Sequence, residues 1–225
     1  KTPVFAIQGF IDTLLDGALE NPEVNRRFLE KAGRNVERLA HLIADLDEIS
    51  RLERGELKLN KTNFIIQDLV KEVFETLSLK AEQEQIHFTF KKGCEQPLIV
   101  YADKEKIRQV ISNLVDNSIK YGKKGGTTTA SMYDTDGTGI LVEISDDGMG
   151  IEEKNTERIF ERFYRTNAGR SRDVQGRGLG LSICKHIVEA HGHSIHVRSK
   201  VDIGTSIGFT LNAQKKNAPA TTSSI

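Results

Sequence analysis

Apolar residues recur at helical spacing through the first 54 positions of the chain. Val4, Ile7, Ile11, Leu14 and Ala18 stand three or four residues apart, which puts them on one helix face. Asp16-Gly17 interrupts the pattern. Asn21-Pro22 restarts it, as a capping residue followed by a first-turn proline. In the second helix Phe28, Ala32, Asn35, Leu39, Leu42, Leu46 and Ile49 keep a heptad seam, and Leu29, Val36 and Ile43 widen it. A stripe that wide suits a four-helix bundle better than a two-stranded coil. One chain supplies two helices, so the pattern predicts a homodimer that completes the bundle.

After Gly55 the period changes. Residues 56–60 are predicted as a short strand, 66–84 as an amphipathic helix and 85–91 as a strand with Ile86, Phe88 and Phe90 on one face. A short strand over 98–101 precedes a helix capped by Asp103 and running to about Ile119. Residues 127–133 and 140–145 read as adjacent strands. A helix over 179–191 stops at Gly192, and strands over 194–200 and 205–211 flank a turn at Gly204. The predicted fold is an α-helical hairpin (residues 1–54) followed by an α/β sandwich with a mixed sheet (56–212). The polar tail, 213–225, is predicted to be disordered.

At 225 residues the chain has room for one or two domains. Its 32 basic residues balance 32 acidic ones, which argues against nucleic acid or a membrane surface as the main partner. Cys94 and Cys184 give no disulfide framework, and a reducing cytoplasmic setting fits. No run of 18 apolar residues occurs. The chain begins with Lys inside a helical pattern and reads as a piece of a longer protein. Any sensor or inner-membrane segment would stand upstream.

Four short motifs follow one another in a fixed order. They are Asn113-Leu-Val-Asp-Asn117-Ser-Ile-Lys120-Tyr121, Asp146-Asp147-Gly148-Met149-Gly150, Ile159-Phe160-Glu161-Arg162-Phe163 and Gly176-Arg177-Gly178-Leu179-Gly180. In series they resemble the N, G1, F and G2 boxes of the sensor histidine kinases of bacterial two-component systems. Gly204-Thr205 is similar to the small G3 element of that family. The resemblance implies an ATP–Mg²⁺ site of the kind shared with gyrase, Hsp90 and MutL, with no P-loop. Lys1-Thr2-Pro3-Val4 resembles the end of the H box, His-Glu-Leu-Lys-Thr-Pro. The phospho-accepting His would then stand just before Lys1. The implied reaction moves the γ-phosphoryl group of ATP to that His and then to an Asp in the receiver domain of a response regulator. Thr2 would orient water for dephosphorylating the regulator.

The residue types suit this chemistry. Asn113 and Asn117 stand at i and i+4 on one helix face, and each offers a neutral carbonyl oxygen. Mg²⁺ is hard and takes few protein oxygens when phosphates bring the charge. By resemblance Asn117 is the metal ligand, and Asn113 supports the phosphates or a metal-bound water. Lys120 is a point charge within reach of phosphate, and Tyr121 lies along the nucleoside. Asp146 at a strand end accepts the adenine amino group and repels the keto oxygen of guanine. Gly148 and Gly150 allow a tight turn and let the backbone approach the base. Gly176, Gly178, Leu179 and Gly180 open a helix whose N–H groups attract phosphate. Arg177 stands where many relatives have Thr. Arg165, Arg170 and Arg172 lie in a stretch without apolar periodicity that resembles a mobile lid. For Arg165 and Arg170, phosphate contact and a solvated surface role are equally open. Phe160 and Phe163 are expected to pack the hinge of that lid, and Thr205 to join the site. His186, His191, His193 and His196 have poor spacing for a metal, and His41 sits off the seam. In ATPases of the related class a Glu base stands four residues before the metal Asn. Here that place is Asn113, which takes no proton from water, so the sequence favours transfer over hydrolysis. A non-catalytic ATP-binding scaffold is the third class.

Overall fold

In a computed structural model of the chain, residues 2–54, 58–94, 96–166 and 178–214 are described, without the side chains of Thr2, Pro3, Asp45, Glu48, Leu52 and Glu53. The first helix, α1 (Thr2–Leu15), stops ahead of Gly17, whose φ of 113° is left-handed and suits glycine. A 3₁₀ turn (Ala18–Glu20) leads to α2 (Pro22–Glu53). Asn21 caps α2, its Oδ1 accepting from the amides of Glu23 (3.2 Å) and Val24 (3.4 Å). Phe10 of α1 meets Phe28 of α2 with ring centroids 5.8 Å apart, and Lys31 Nζ lies 5.7 Å from the Phe28 centroid. The seam residues Phe28, Ala32, Asn35, Leu39 and Leu42 are half-buried. Leu29, Val36 and Ile43 remain 56%, 52% and 60% exposed, so one copy leaves the wide part of the stripe uncovered. This hairpin is one compact unit, and the boundary to the next falls between Arg51 and Leu52.

The second unit departs from expectation at its start. Residues 55–57 lie outside the described residues, 58–60 are irregular, and the first strand is β1 (Lys61–Ile65). It pairs antiparallel with β3 (Ile99–Asp103), Lys61 opposite Asp103. Leu59 falls within the strand expected over 56–60, but a strand forms where a partner supplies the hydrogen bonds. Between β1 and β3 run α3 (Ile66–Gln83) and β2 (His87–Phe90). Next come α4 (Lys104–Tyr121), β4 (Thr127–Thr135), β5 (Gly139–Asp146) and α5 (Glu153–Thr156). A 3₁₀ turn (Arg158–Phe160), α6 (Gly180–Ala190), β6 (Ile195–Lys200) and β7 (Gly204–Asn212) complete the described elements. The larger sheet has the order β2-β4-β5-β7-β6, with β2 parallel to β4 and the other neighbours antiparallel. It is a mixed sheet packed on helices.

Pairing register sorts the side chains by face. Ala130, Met132, Val142, Ile144, Ile207 and Phe209 share the buried face that meets the helices. Val110, Leu114, Ile183 and Ile187 are buried on α4 and α6. The last row on this face is polar instead: Thr128, Asp146, Thr205 and Ser199 stand side by side across β4, β5, β7 and β6. Ser118 of α4 meets Thr128 there, their hydroxyls 2.5 Å apart. The opposite face carries polar pairs such as Thr89–Thr129 (3.1 Å) and Ser145–Ser206 (2.9 Å).

One buried histidine ties two helices together. His191 ends α6, and its Nδ1–H donates to the Ile187 carbonyl (2.8 Å) while Nε2 accepts from the Asp103 amide (3.0 Å). Asp103 in turn caps α4 through the Lys106 amide (3.1 Å). The two ring bonds require a neutral imidazole. Burial pushes the His191 pKa below the ordinary value; the Ile187 carbonyl and the Asp103 carboxylate oppose that shift, and Lys61 and His193 add to it. With the folded pKa lowered, the unfolded chain binds the proton first. The stabilisation is therefore complete above the unfolded value of about 6.5 and is lost as pH falls below it. The denaturant midpoint of the wild type should drop between about pH 7 and about pH 5, and His191→Gln should lose this group's share of the drop. An unchanged pH profile in His191→Gln would show that His191 titrates identically in both states.

Candidate nucleotide-binding site

Asp146 closes β5 at the polar end of the sheet. Its Oδ1 accepts from the Gly148 amide (2.9 Å), and the Thr205 amide also hydrogen-bonds the carboxylate. Burial pushes the Asp146 pKa up and the charge of Asp147 adds to this, while the two amides oppose it. The carboxylate is half-buried, supported from the main chain, and not paired with a cation in any bond the structure shows for it. Asp147 faces elsewhere, accepting from the Thr127 amide (2.9 Å) and pairing with Lys123 (3.4 Å). A Cβ on Gly148 would stand 2.3 Å from the Tyr121 carbonyl oxygen, and one on Gly150 2.0 Å from that of Lys200. The two glycines thus fit the loop between the end of α4 and the β6–β7 hairpin. Their tightest contacts are with main-chain carbonyls, and a Cβ on Gly148 would also meet the Asp146 carboxylate at 2.8 Å, so the tight turn expected here needs glycine.

Helix α4 brings Asn113, Asn117, Lys120 and Tyr121 alongside that loop, all half-buried. Gly180, the first residue of α6, lies beside Asn113: a Cβ there would be 3.5 Å from Asn113 Oδ1. Asn113 also hydrogen-bonds the thiol of Cys184, whose complete burial pushes its pKa up to about 12 and leaves it unreactive. Lys120 pairs with Asp116, whose other oxygen takes Lys80 from α3. Burial pushes the Asp116 carboxyl up, but the two ammonium groups outweigh this and hold it below the usual range. Asp116 is a partner of Lys120 that sequence reasoning missed. Its spacing to Lys120, i to i+4, was a signal; Lys80 stands 36 residues away from Asp116 and gave none.

The start of α6 is fixed by a different contact. The Phe163 amide donates to the Gly178 carbonyl (2.8 Å), and a Cβ on Gly178 (φ 72°) would meet the Phe163 carbonyl carbon at 2.8 Å. Leu179 is fully buried at the start of α6. Phe160 is half-buried, as a hinge residue would be, but Phe163 is not packed: its ring is 55% exposed and its φ is 61°. Its main chain, not its ring, makes the contact with the start of α6. Tyr164 donates to Asn155 Oδ1 (2.7 Å) beneath Arg158. Arg165 is half-buried. Arg170, Arg172, Gly176 and Arg177 lie outside the described residues, as does the side chain of Thr2, whose main chain opens α1. Thr205 contributes its amide to Asp146 and sets its hydroxyl 2.9 Å from that of Ser199. His186, His191, His193 and His196 do not converge, and among the described residues no three His, Cys, Asp or Glu form a metal-binding group.

Residues 102–215 match the family model of histidine kinase-, DNA gyrase B-, and HSP90-like ATPases, and residues 1–55 match that of the His Kinase A (phospho-acceptor) domain. The chain belongs to the sensor histidine kinases. Among its relatives, sensor histidine kinase WalK of Bacillus subtilis (strain 168) is 33% identical over 213 residues, which is 94% of this chain and 34% of WalK. Drug sensory protein A of Synechocystis is 34% identical over 222 residues, 94% of this chain and 33% of that protein. The chain thus spans about a third of the length of these curated relatives. A solved structure of histidine kinase ThkA in complex with response regulator protein TrrA superimposes with a TM-score of 0.74 at 28% identity, over 95% of this chain and 58% of that one. Histidine kinase AdeS of Acinetobacter baumannii gives 0.76 at 24% identity, over 95% of this chain and 96% of AdeS, and shows the shared fold. Among the described residues no helix is long and apolar enough to cross a membrane.

Proposed function

We propose that residues 56–212 of this histidine kinase bind ATP and deliver its γ-phosphoryl group to a His just upstream of Lys1 in the longer protein. Asp146 carries the proposal: a half-buried carboxylate, held by two backbone amides at a strand end, accepts the exocyclic amino group of adenine. Tyr121 flanks the nucleoside. The N-terminal amides of α6, from Gly178 to Gly180, face the phosphates with Arg165. Gly176 is assigned to the phosphates by its place in the G2-like motif, and Arg170 by its place in the stretch before that motif. The amide oxygens of Asn113 and Asn117, one turn apart on α4 beside Gly180, suit a hard cation. Asn117 would hold Mg²⁺, which supplies charge neutralisation to the triphosphate when bound. Lys120 is steered by Asp116 and adds positive charge from the same helix.

In the transfer an imidazole nitrogen attacks the γ-phosphorus, the bond to the bridging oxygen breaks, and ADP leaves. The phosphoryl group then passes to an Asp of a response regulator receiver domain. The ThkA–TrrA complex supports that partner. Residues 1–54 form the dimerisation hairpin, supported by the exposed stripe of α2 and the phospho-acceptor domain match. The domain acts in the cytoplasm, and Thr2 serves regulator dephosphorylation by orienting water.

A protein of these 225 residues should bind ATP and incorporate no acid-labile phosphate, since His41 sits off the seam. Extending it upstream through His-Glu-Leu should restore incorporation, and Asn117→Ala in the longer protein should abolish it. Thr2→Ala should keep autophosphorylation and lose phosphatase activity. Labelling of the 225-residue protein itself would refute the acceptor assignment.

A further inference from the structure

The loop that follows Asp146 is anchored at its far end by a single hydroxyl. Ser199 Oγ accepts from the Ile151 amide (2.8 Å), donates to the Gly204 carbonyl (3.0 Å) and lies 2.9 Å from Thr205 Oγ1. A serine hydroxyl has one proton and two lone pairs. One donated bond to Gly204, with bonds accepted from Ile151 and Thr205, uses that capacity in full. Thr205 stands directly between Ser199 and Asp146 in the sheet and gives its amide to the Asp146 carboxylate. The same hairpin grips the loop twice more. Asp202 donates its amide to the Met149 carbonyl (2.9 Å), and Gly150 packs against the Lys200 carbonyl. Gly204 itself has room for no side chain, since a Cβ there would be 2.0 Å from the Asp146 carbonyl oxygen.

We propose that Ser199 is a positioning residue for base recognition: its hydroxyl clasps the 146–151 loop to the β6–β7 hairpin and so fixes the direction of the Asp146 carboxylate. The proposal rests on Asp146 as the adenine acceptor. Ser199 touches no ligand; it acts through Thr205 and through the loop end at Ile151. Without the hydroxyl, the Ile151 amide loses its partner and the loop gains freedom. The carboxylate then meets the amino group at the cost of ordering it first.

The experiment compares ADP with inosine diphosphate, which carries a keto oxygen where adenine has the amino group. Affinities are measured by calorimetry on the full chain for the wild type, Ser199→Ala, Ser199→Thr and Asp146→Ala. The wild type should favour ADP strongly. Ser199→Ala should cut that preference by about 5-fold, the worth of about one hydrogen bond. Ser199→Thr keeps the hydroxyl and should restore it. A general loosening of the fold would weaken both ligands alike and leave the ratio unchanged, and that outcome overturns the proposal. Asp146→Ala separates the two levels of inference. If it leaves the preference intact, Asp146 is not the base acceptor. If it collapses the preference while Ser199→Ala does not, the base reading stands and the role of Ser199 falls.

Discussion

Replacing Asp146 with alanine should weaken ATP binding by about 10- to 100-fold, the loss expected for a hydrogen bond to a charged group. In the proposed site Asp146 is the one charged acceptor for the adenine amino group, and the substitution removes it without opening the core, because Asp146 is half-buried at a strand end. The two amides that it holds, from Gly148 and Thr205, would turn to water. Binding of the base to the wild type should be pH-dependent. Burial raises the Asp146 pKa, so the acceptor begins to protonate at a higher pH than an exposed carboxylate would. Adenosine, which brings no titrating phosphate, should bind less well as pH falls toward that raised value, and Asp146→Asn should flatten the profile. Calorimetric titration of Asp146→Ala showing wild-type affinity would remove the base-recognition assignment altogether.

Much of this site was legible because its local chemistry is written in short range. Asp103 as a cap, Asn113 and Asn117 on one face, and Asp146 at the end of an apolar strand all follow from spacing. Contacts that join distant strands were not legible. Ser199 reaches Ile151 across 48 residues, and Lys80 reaches Asp116 across 36. The sheet order β2-β4-β5-β7-β6 is of the same kind, since pairing partners are chosen by the assembled core and not by either strand alone. The shifted first strand shows the point in small. Residues 58–60 belong to the expected strand, yet Lys61–Ile65 pairs instead because Ile99–Asp103 lies beside it. Gly148 and Gly150 suit the tight turn that the sequence points to, but the carbonyls of Tyr121 and Lys200 that leave no space for a Cβ come from distant elements.

The second large effect belongs to the hairpin. Ile43→Asp and Leu46→Asp should convert a homodimer to monomers. Both side chains are well exposed in one copy, Ile43 at 60% and Leu46 at 40%, so the fold of a single hairpin tolerates a charge there. A completed four-helix bundle does not, because each copy would bury an uncompensated carboxylate at a cost of about 3–5 kcal/mol. Sedimentation should show the shift while far-ultraviolet circular dichroism stays unchanged. A wild-type protein that sediments as a monomer at micromolar concentration would rule out this use of the stripe.

The polar row at one end of the larger sheet makes β5 a ruler. Side chains along a strand alternate between faces, so inserting one residue between Gly139 and Asp146 would turn the carboxylate away from α4. Inserting two would restore the face but carry Asp146 past Thr205 and its amide. The far end has no such arithmetic. There the chain turns through Asp136 and Gly137, both with positive φ, and no residue of that turn reaches the row. Length can therefore change at the β4–β5 turn without disturbing the row, while the count from the turn's end to Asp146 cannot.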